Sequence, residues 1–165
     1  MIFVTVGTHE QSFNRLVECI DRLVETEDIN EEVIIQTGYS TYEPKYCKWK
    51  KFLPYREMQK NIERARIVIT HGGPSSFIAP LRVGKIPIVV PRKYDLNEHV
   101  NDHQVDFCNA VRERMGTIIV VEDIDKLGET IKSYDKMVDA GKELRSNNDR
   151  FCLEFGKIVN EIKIS

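Results

Sequence analysis

Between an apolar run and a helical pattern stands Thr70-His71-Gly72-Gly73-Pro74-Ser75-Ser76. Two adjacent glycines let a backbone turn tightly and come close to a ligand, and proline suits the first helical position. With two serine hydroxyls and open N–H groups at the positive end of the helix dipole, the segment can hold an anion such as a diphosphate. The same residues also fit a packing turn whose serines merely cap the helix, and both readings stand at this point. A second cluster runs from Pro91-Arg92-Lys93 to Glu98-His99-Val100-Asn101-Asp102-His103-Gln104. Read as a helix start, it offers Glu98 as acceptor for sugar or ribose hydroxyls and Arg92 as counter-charge. His99 and His103 are four residues apart and raise a metal site, against which the order His-Glu-x-x-His is missing and no third ligand has a matching spacing. A solvated polar helix start is the remaining alternative.

Other chemistries fail on their spacing. After the first strand there is a lone Gly7 in place of Gly-x-Gly-x-x-Gly, and the second strand ends in Thr37-Gly38 with no acid for a ribose. Gly84-Lys85-Ile86 is no phosphate-binding P-loop, and Gly73-Pro74-Ser75-Ser76-Phe77 lacks the second glycine of a nucleophile elbow. Cys19, Cys47, Cys108 and Cys152 are scattered and form no Cys-x-x-Cys pair, so they read as reduced thiols of a cytoplasmic protein.

The elements that must position these residues follow from hydrophobic periodicity. Strands are expected at 2–6, 33–36, 49–53, 67–70, 86–90 and 117–121, with helices at about 13–24, 55–64, 75–83 and 98–112 and more helix in the remainder. Several strands are unbroken apolar runs, as when helices cover both faces of a parallel sheet. The expected fold is a doubly wound α/β domain over 1–165, with mostly parallel strands and a C-terminal helix at about 143–163. Ligands of such folds bind beyond the carboxyl ends of the strands, so the loops at Gly7 to Gln11, Thr37 to Tyr39, Leu53 to Tyr55, His71 to Ser76 and Arg92 to His99 are the informative ones.

With 165 residues the chain has room for one core, and 41% hydrophobic and 30% charged residues argue against disorder. Twenty-four Lys and Arg against 26 Asp and Glu give no electrostatic reason to expect nucleic acid. The first residues are too few and too weakly apolar for a signal peptide or a membrane span, so membrane contact is expected only through a surface or a partner.

Together with the opening Val4-Thr5-Val6-Gly7-Thr8-His9-Glu10-Gln11-Ser12-Phe13-Asn14-Arg15-Leu16-Val17, the two clusters resemble the C-terminal domain of glycosyltransferase family 28. His-Gly-Gly-Pro, Gly-Lys-x-Pro-Ile-Val-Val-Pro-Arg and Glu-His-Val-Asn-Asp-His-Gln carry the resemblance, over residues 1 to about 130. It is closest to the stand-alone catalytic subunit of two-component UDP-sugar transferases of the dolichol pathway and of bacterial capsule and exopolysaccharide synthesis. The resemblance implies the Rossmann-like, donor-binding half of a GT-B enzyme that transfers a hexose from a UDP-sugar to a lipid-linked saccharide. Its partner would be a membrane-anchored acceptor-binding subunit holding the chain at the inner face of the membrane. The isolated chain would tend to self-associate, and no metal or other cofactor is expected.

Carried over by position, the resemblance puts Gly7, Thr8 and His9 against the diphosphate and the interdomain cleft, and Phe52 and Leu53 against the uracil. His71, Gly72, Gly73, Ser75 and Ser76 form the turn for phosphate and ribose; Glu98, His99 and Gln104 contact the sugar or its neighbours, with Arg92 offsetting charge. Many members carry a ribose-binding Glu where this chain has Ala79, so Glu98 takes that contact or the contact differs. The general base is implied to lie in the partner, with His9 as the local alternative. A non-catalytic nucleotide-sugar-binding or enhancing subunit is the competing function. Leu144, Phe151, Phe155, Ile158, Val159 and Ile162 form an apolar stripe; it packs on the domain itself or, as the resemblance implies, docks in part on the partner.

Overall fold

The structure, a computed structural model, describes residues 1–140. Within them β1 (Ile2–Thr5), α1 (Asn14–Glu25), β2 (Val33–Gln36), β3 (Lys48–Lys50) and α2 (Tyr55–Arg64) are followed by β4 (Ile67–His71) and α3 (Pro74–Arg82). Then come β5 (Ile88–Val90), α4 (His103–Met115), β6 (Ile119–Val120), a 3-10 turn at Ile124–Lys126, and α5 (Leu127–Ala140). The strands form one sheet in the order β3-β2-β1-β4-β5-β6, and each neighbouring pair is parallel. This is the doubly wound arrangement expected from the unbroken apolar strands.

Burial on both faces explains those strands. Ile2 and Val4 of β1, Ile67 and Ile69 of β4, and Ile88 and Val90 of β5 pack on one face with Leu16, Val17 and Ile20 of α1 and Leu127, Ile131 and Tyr134 of α5. The residues between them face the other way. Phe3 and Val68 meet Ile62 of α2 and Ala65, while Val89 meets Phe77 and Leu81 of α3 and Phe107, Cys108 and Val111 of α4. At about 1.5–3 kcal/mol per fully buried large apolar side chain, a polar residue at any of these positions is excluded, and no alternation can arise.

The chain winds outward from β1 through β2 to β3, then returns to place β4 on the other side of β1. The loops after β1 and β4 therefore diverge, and a crevice opens between them at the carboxyl edge.

Strands β5 and β6 are shorter than expected, Ile88–Val90 for 86–90 and Ile119–Val120 for 117–121, and two further elements differ. The third strand is Lys48–Lys50, not 49–53. The helix expected from Glu98 begins at His103, because side chains capture the backbone before it. Glu98 accepts a hydrogen bond from the Lys93 N–H (3.0 Å), Asp102 from the Tyr94 N–H (3.0 Å) and Asn101 from the His103 N–H (3.2 Å). Asn and Asp side chains compete with helix in this way, and Asn97 sits at φ +55°. The C-terminal helix expected at 143–163, with its stripe from Leu144 to Ile162, lies outside the described residues.

Candidate functional site

The crevice between the β1 and β4 loops is a cleft of about 450 Å³, within the range of small-molecule sites. Of the residues singled out in the sequence, Gly7, Thr8, His9, Phe52, Leu53, His71, Ser75, Ser76 and Gln104 line it. Gly72, Gly73, Arg92, Glu98 and His99 do not. Thr5, Gln36 and Met58 also line it, and the sequence reading passed over them. The signal for two of them was present: Thr5 and Gln36 are polar residues closing otherwise apolar strands. Gln36 accepts from the Thr5 hydroxyl (2.6 Å) and donates to the carbonyls of Gly7 (3.0 Å) and Lys51 (2.8 Å), tying two walls of the cleft together.

His71 is the centre of the turn between β4 and α3. The Gly73 N–H donates to its Nδ1 (3.0 Å), so in the neutral ring the proton is on Nε2, which lies 2.8 Å from Ser76 Oγ. His71 Nε2–H then donates to Ser76, and the Ser76 hydroxyl keeps its own proton for a ligand. Neither serine caps α3, whose start makes no side-chain capping bond. The ring lies between two glycines that cannot be replaced without displacing it. A Cβ on Gly73 would fall 2.2 Å from His71 Cε1, and one on Gly7, itself at φ +77°, 2.3 Å from Nε2.

Burial, reinforced by the nearby Arg92 charge, pushes the His71 pKa down to about 4. The unfolded chain, with histidine near 6.5, therefore takes up this proton first as the pH falls. Stability from neutral His71 is whole above about pH 6.5 and is lost as the pH falls toward 4, on the order of 3 kcal/mol in all. Urea unfolding between pH 7 and 4 should show this decline, and His71→Gln should flatten it. An unchanged slope in the variant would mean that other groups control the decline.

Arg92 and Glu98 have different places from those the sequence suggested. Arg92 is wholly buried, and its guanidinium donates to the carbonyls of Val6 (2.8 Å), Gln11 (2.7 Å) and Glu98 (3.0 Å) while stacking on Phe13. It braces the β1–α1 loop from beneath and reaches the cleft only through its field. Burial lowers its pKa to about 10, so it stays charged at neutral pH. Glu98 is 4% exposed and accepts both Nε (2.8 Å) and Nη2 (2.8 Å) of Arg15, as well as the Lys93 N–H. Its carboxylate is fully engaged. Ala79 packs against the Phe3 and Val68 cluster, and among the described residues that line the cleft there is no acid. Gln104 is better placed: its Oε1 is fixed by the Arg92 N–H (3.2 Å) and its amide NH₂ is left for the cleft.

His9 stacks on His99 with ring centroids 4.6 Å apart, and its Nδ1 accepts the Gln11 N–H (3.2 Å). Burial and then the neighbouring His99 lower its pKa, so it is neutral with its proton on Nε2. That geometry makes His9 a hydrogen-bond donor toward the cleft, with its basic nitrogen already occupied. His99 and His103 do not share a helix face, since α4 starts at His103. Among the described residues no three His, Cys, Asp or Glu side chains converge. The Asp-x-Asp triplet Asp123-Ile124-Asp125 lies outside the cleft, where Asp123 accepts the Asp125 N–H at the 3-10 turn.

This arrangement agrees with what the chain is similar to. Residues 1–161 match the model of the glycosyltransferase family 28 C-terminal domain. Over 122 residues, 68% of this chain, it is 31% identical to the human UDP-N-acetylglucosamine transferase subunit ALG13, of which it spans only about a tenth. The glycosyltransferase SnogD from Streptomyces nogalater superposes with a TM-score of 0.59 at 18% identity, over 99% of this chain and 43% of that one. The kitacinnamycin glycosyltransferase gives 0.55 at 16%, over 99% and 39%. At such identities these structures speak for the fold alone, that of one Rossmann-like half of a GT-B glycosyltransferase. By the match along nearly its whole length, the chain belongs to the glycosyltransferase family 28 C-terminal domain family.

Proposed function

We propose that the chain is the donor-binding half of a two-component transferase that moves a hexose from a UDP-sugar to a lipid-linked saccharide in polysaccharide synthesis, the acceptor site lying on a membrane-associated partner. The observation that carries this reading is the neutral His71 clamped between Gly7 and Gly73 and bonded to Ser76, at the open end of α3. Breaking the sugar–phosphate bond builds negative charge on the leaving diphosphate. The α3 dipole and the Ser75, Ser76 and His9 side chains, all at the cleft, would stabilise such a charge, and donors of this kind lower the barrier without a metal ion. Phe52 and Leu53 offer the uracil an apolar wall, and the Gln104 amide serves the ribose or sugar.

The split into two components has support from the relative that is named as a transferase subunit. It also accounts for the missing base: His9 Nδ1 is occupied, so the group that deprotonates the acceptor hydroxyl belongs to the partner. Calorimetry with UDP, UDP-sugars and NAD is the direct test, and uridine nucleotides should bind more tightly. Ser76→Ala should weaken UDP binding by about 1–3 kcal/mol with the fold intact. Tighter binding of NAD would refute the reading. Transfer by the isolated chain at the rate of the reconstituted pair would refute the split.

A further inference from the structure

Charge along the chain is far from even. Residues 45–66 hold eight Lys and Arg against two Glu, while the rest of the chain holds sixteen against twenty-four. The second half of the cationic stretch is one place in space, the loop after the outermost strand β3 and the helix α2, whereas Lys45 and Tyr46 are tied to Asp21 and Glu25 of α1 on the other face of the sheet. Lys48, Lys50 and Arg66 are paired, the first with Glu32, the second with Glu57 and the third with Glu31 and Asp135. Lys51, Arg56 and Lys60 are exposed and have no carboxylate partner among the described residues. Arg56, Lys60 and Arg64 repeat at intervals of four, which sets three like charges in a row along the exposed side of α2. Such a row weakens a helix. Beside these cations are the exposed aromatics Phe52 and Tyr55, the second 76% exposed.

We propose that this surface lies on anionic phospholipid, with Lys51, Arg56 and Lys60 at the headgroups and Tyr55 at the interface. The loop before α2 and the exposed side of that helix set their unpaired cations on one face of the sheet, which suits a plane of anions. A nucleic-acid strand is better held in a groove, and one running past the patch would meet the net negative remainder of the chain. Phe52 also lines the cleft, so this pose brings the cleft mouth beside the lipid. That is the position a lipid-linked acceptor requires, and this last consequence rests on the proposed function, whereas membrane binding itself does not.

The test is co-sedimentation of the full chain, without partner, with vesicles of equimolar phosphatidylglycerol and phosphatidylcholine, and with phosphatidylcholine alone. Binding is expected only to the anionic vesicles and should weaken as salt rises, since a 1 M solution screens within about 3 Å. The triple variant Lys51→Glu, Arg56→Glu, Lys60→Glu should bind at least about a hundredfold more weakly, at about fivefold for each cation near the surface. Arg82→Glu, Arg112→Glu, Lys136→Glu makes the same change in net charge elsewhere and should bind like the parent. Tyr55→Ser should lower binding severalfold at high salt. UDP titration of the same variants keeps the two proposals apart, because loss of vesicle binding with UDP affinity retained concerns this surface alone. No binding to anionic vesicles, equal loss in both triple variants, or binding to polyuridylate in preference to vesicles would overturn the proposal. If the first triple variant fails to fold, the salt dependence and the single substitution Lys51→Glu decide in its place.

Discussion

Glu98→Ala should destabilise the protein by about 2–4 kcal/mol, a large effect for a residue that reads in sequence as a sugar acceptor. The glutamate and Arg15 form a two-pronged bond, and their side chains are 6% and 15% exposed. Removing the carboxylate leaves a nearly buried guanidinium with only the Pro91 carbonyl (3.0 Å) as partner. It also frees the Lys93 N–H, so the segment from Lys93 to Glu98 loses its attachment to α1. Since Arg92 reaches the same segment through the Glu98 carbonyl, the loop carrying Gly7 to His9 should loosen as well. The double variant Arg15→Met, Glu98→Met should recover much of the loss, because an apolar pair leaves no charge stranded. Denaturant unfolding of the three proteins measures this. If Glu98→Ala unfolds like the parent but loses turnover in the reconstituted pair, the carboxylate serves the ligand and not the scaffold.

The second large effect is expected at Gly73. With a Cβ 2.2 Å from His71 Cε1, Gly73→Ala must expel the ring, which is blocked on its other side by Gly7. Moving it breaks the bonds to Gly73 N and Ser76 Oγ together. UDP affinity should fall at least about a hundredfold, roughly 3 kcal/mol, while stability falls by about 1–3 kcal/mol, the usual range for overpacking. Gly84→Ala is the matched control. Gly84 is at φ +74°, but nothing lies within 4 Å of a Cβ there, so alanine should cost about 1 kcal/mol of stability and leave UDP binding unchanged. Retention of UDP affinity within threefold in Gly73→Ala would show that the His71–Ser76 geometry is not what holds the nucleotide.

Some of this was legible in the residues alone. Helices are set by a repeat of 3.6 and strands covered on both faces by short unbroken apolar runs, so β1, β2, β4, α1 and α2 are readable from short windows. So is the rule that loops after parallel strands carry the ligand, and with it the turn from His71 to Ser76. The start of α4 was misread because Glu98, Asn101 and Asp102 suit helix by spacing, while their side chains bind the local backbone instead. That competition is decided by hydrogen bonds of similar strength and not by periodicity. The fates of the charged and polar groups belong wholly to the tertiary structure. Glu98 could have met a sugar, and Arg92 a phosphate, until the sheet order brought Arg15 to one, 83 residues away in sequence, and the carbonyls of Val6 and Gln11 to the other. A charge is indifferent to its neighbours in sequence and is satisfied by whichever partner the fold delivers. Gln36 joining the Gly7 and Lys51 loops, His9 stacked on His99, and His71 neutral between two glycines arise in the same way, from strands that pair across long stretches of chain. The sequence determined which segments would hold the cleft; only their packing decided which of its polar groups face a ligand and which are consumed in holding the cleft open.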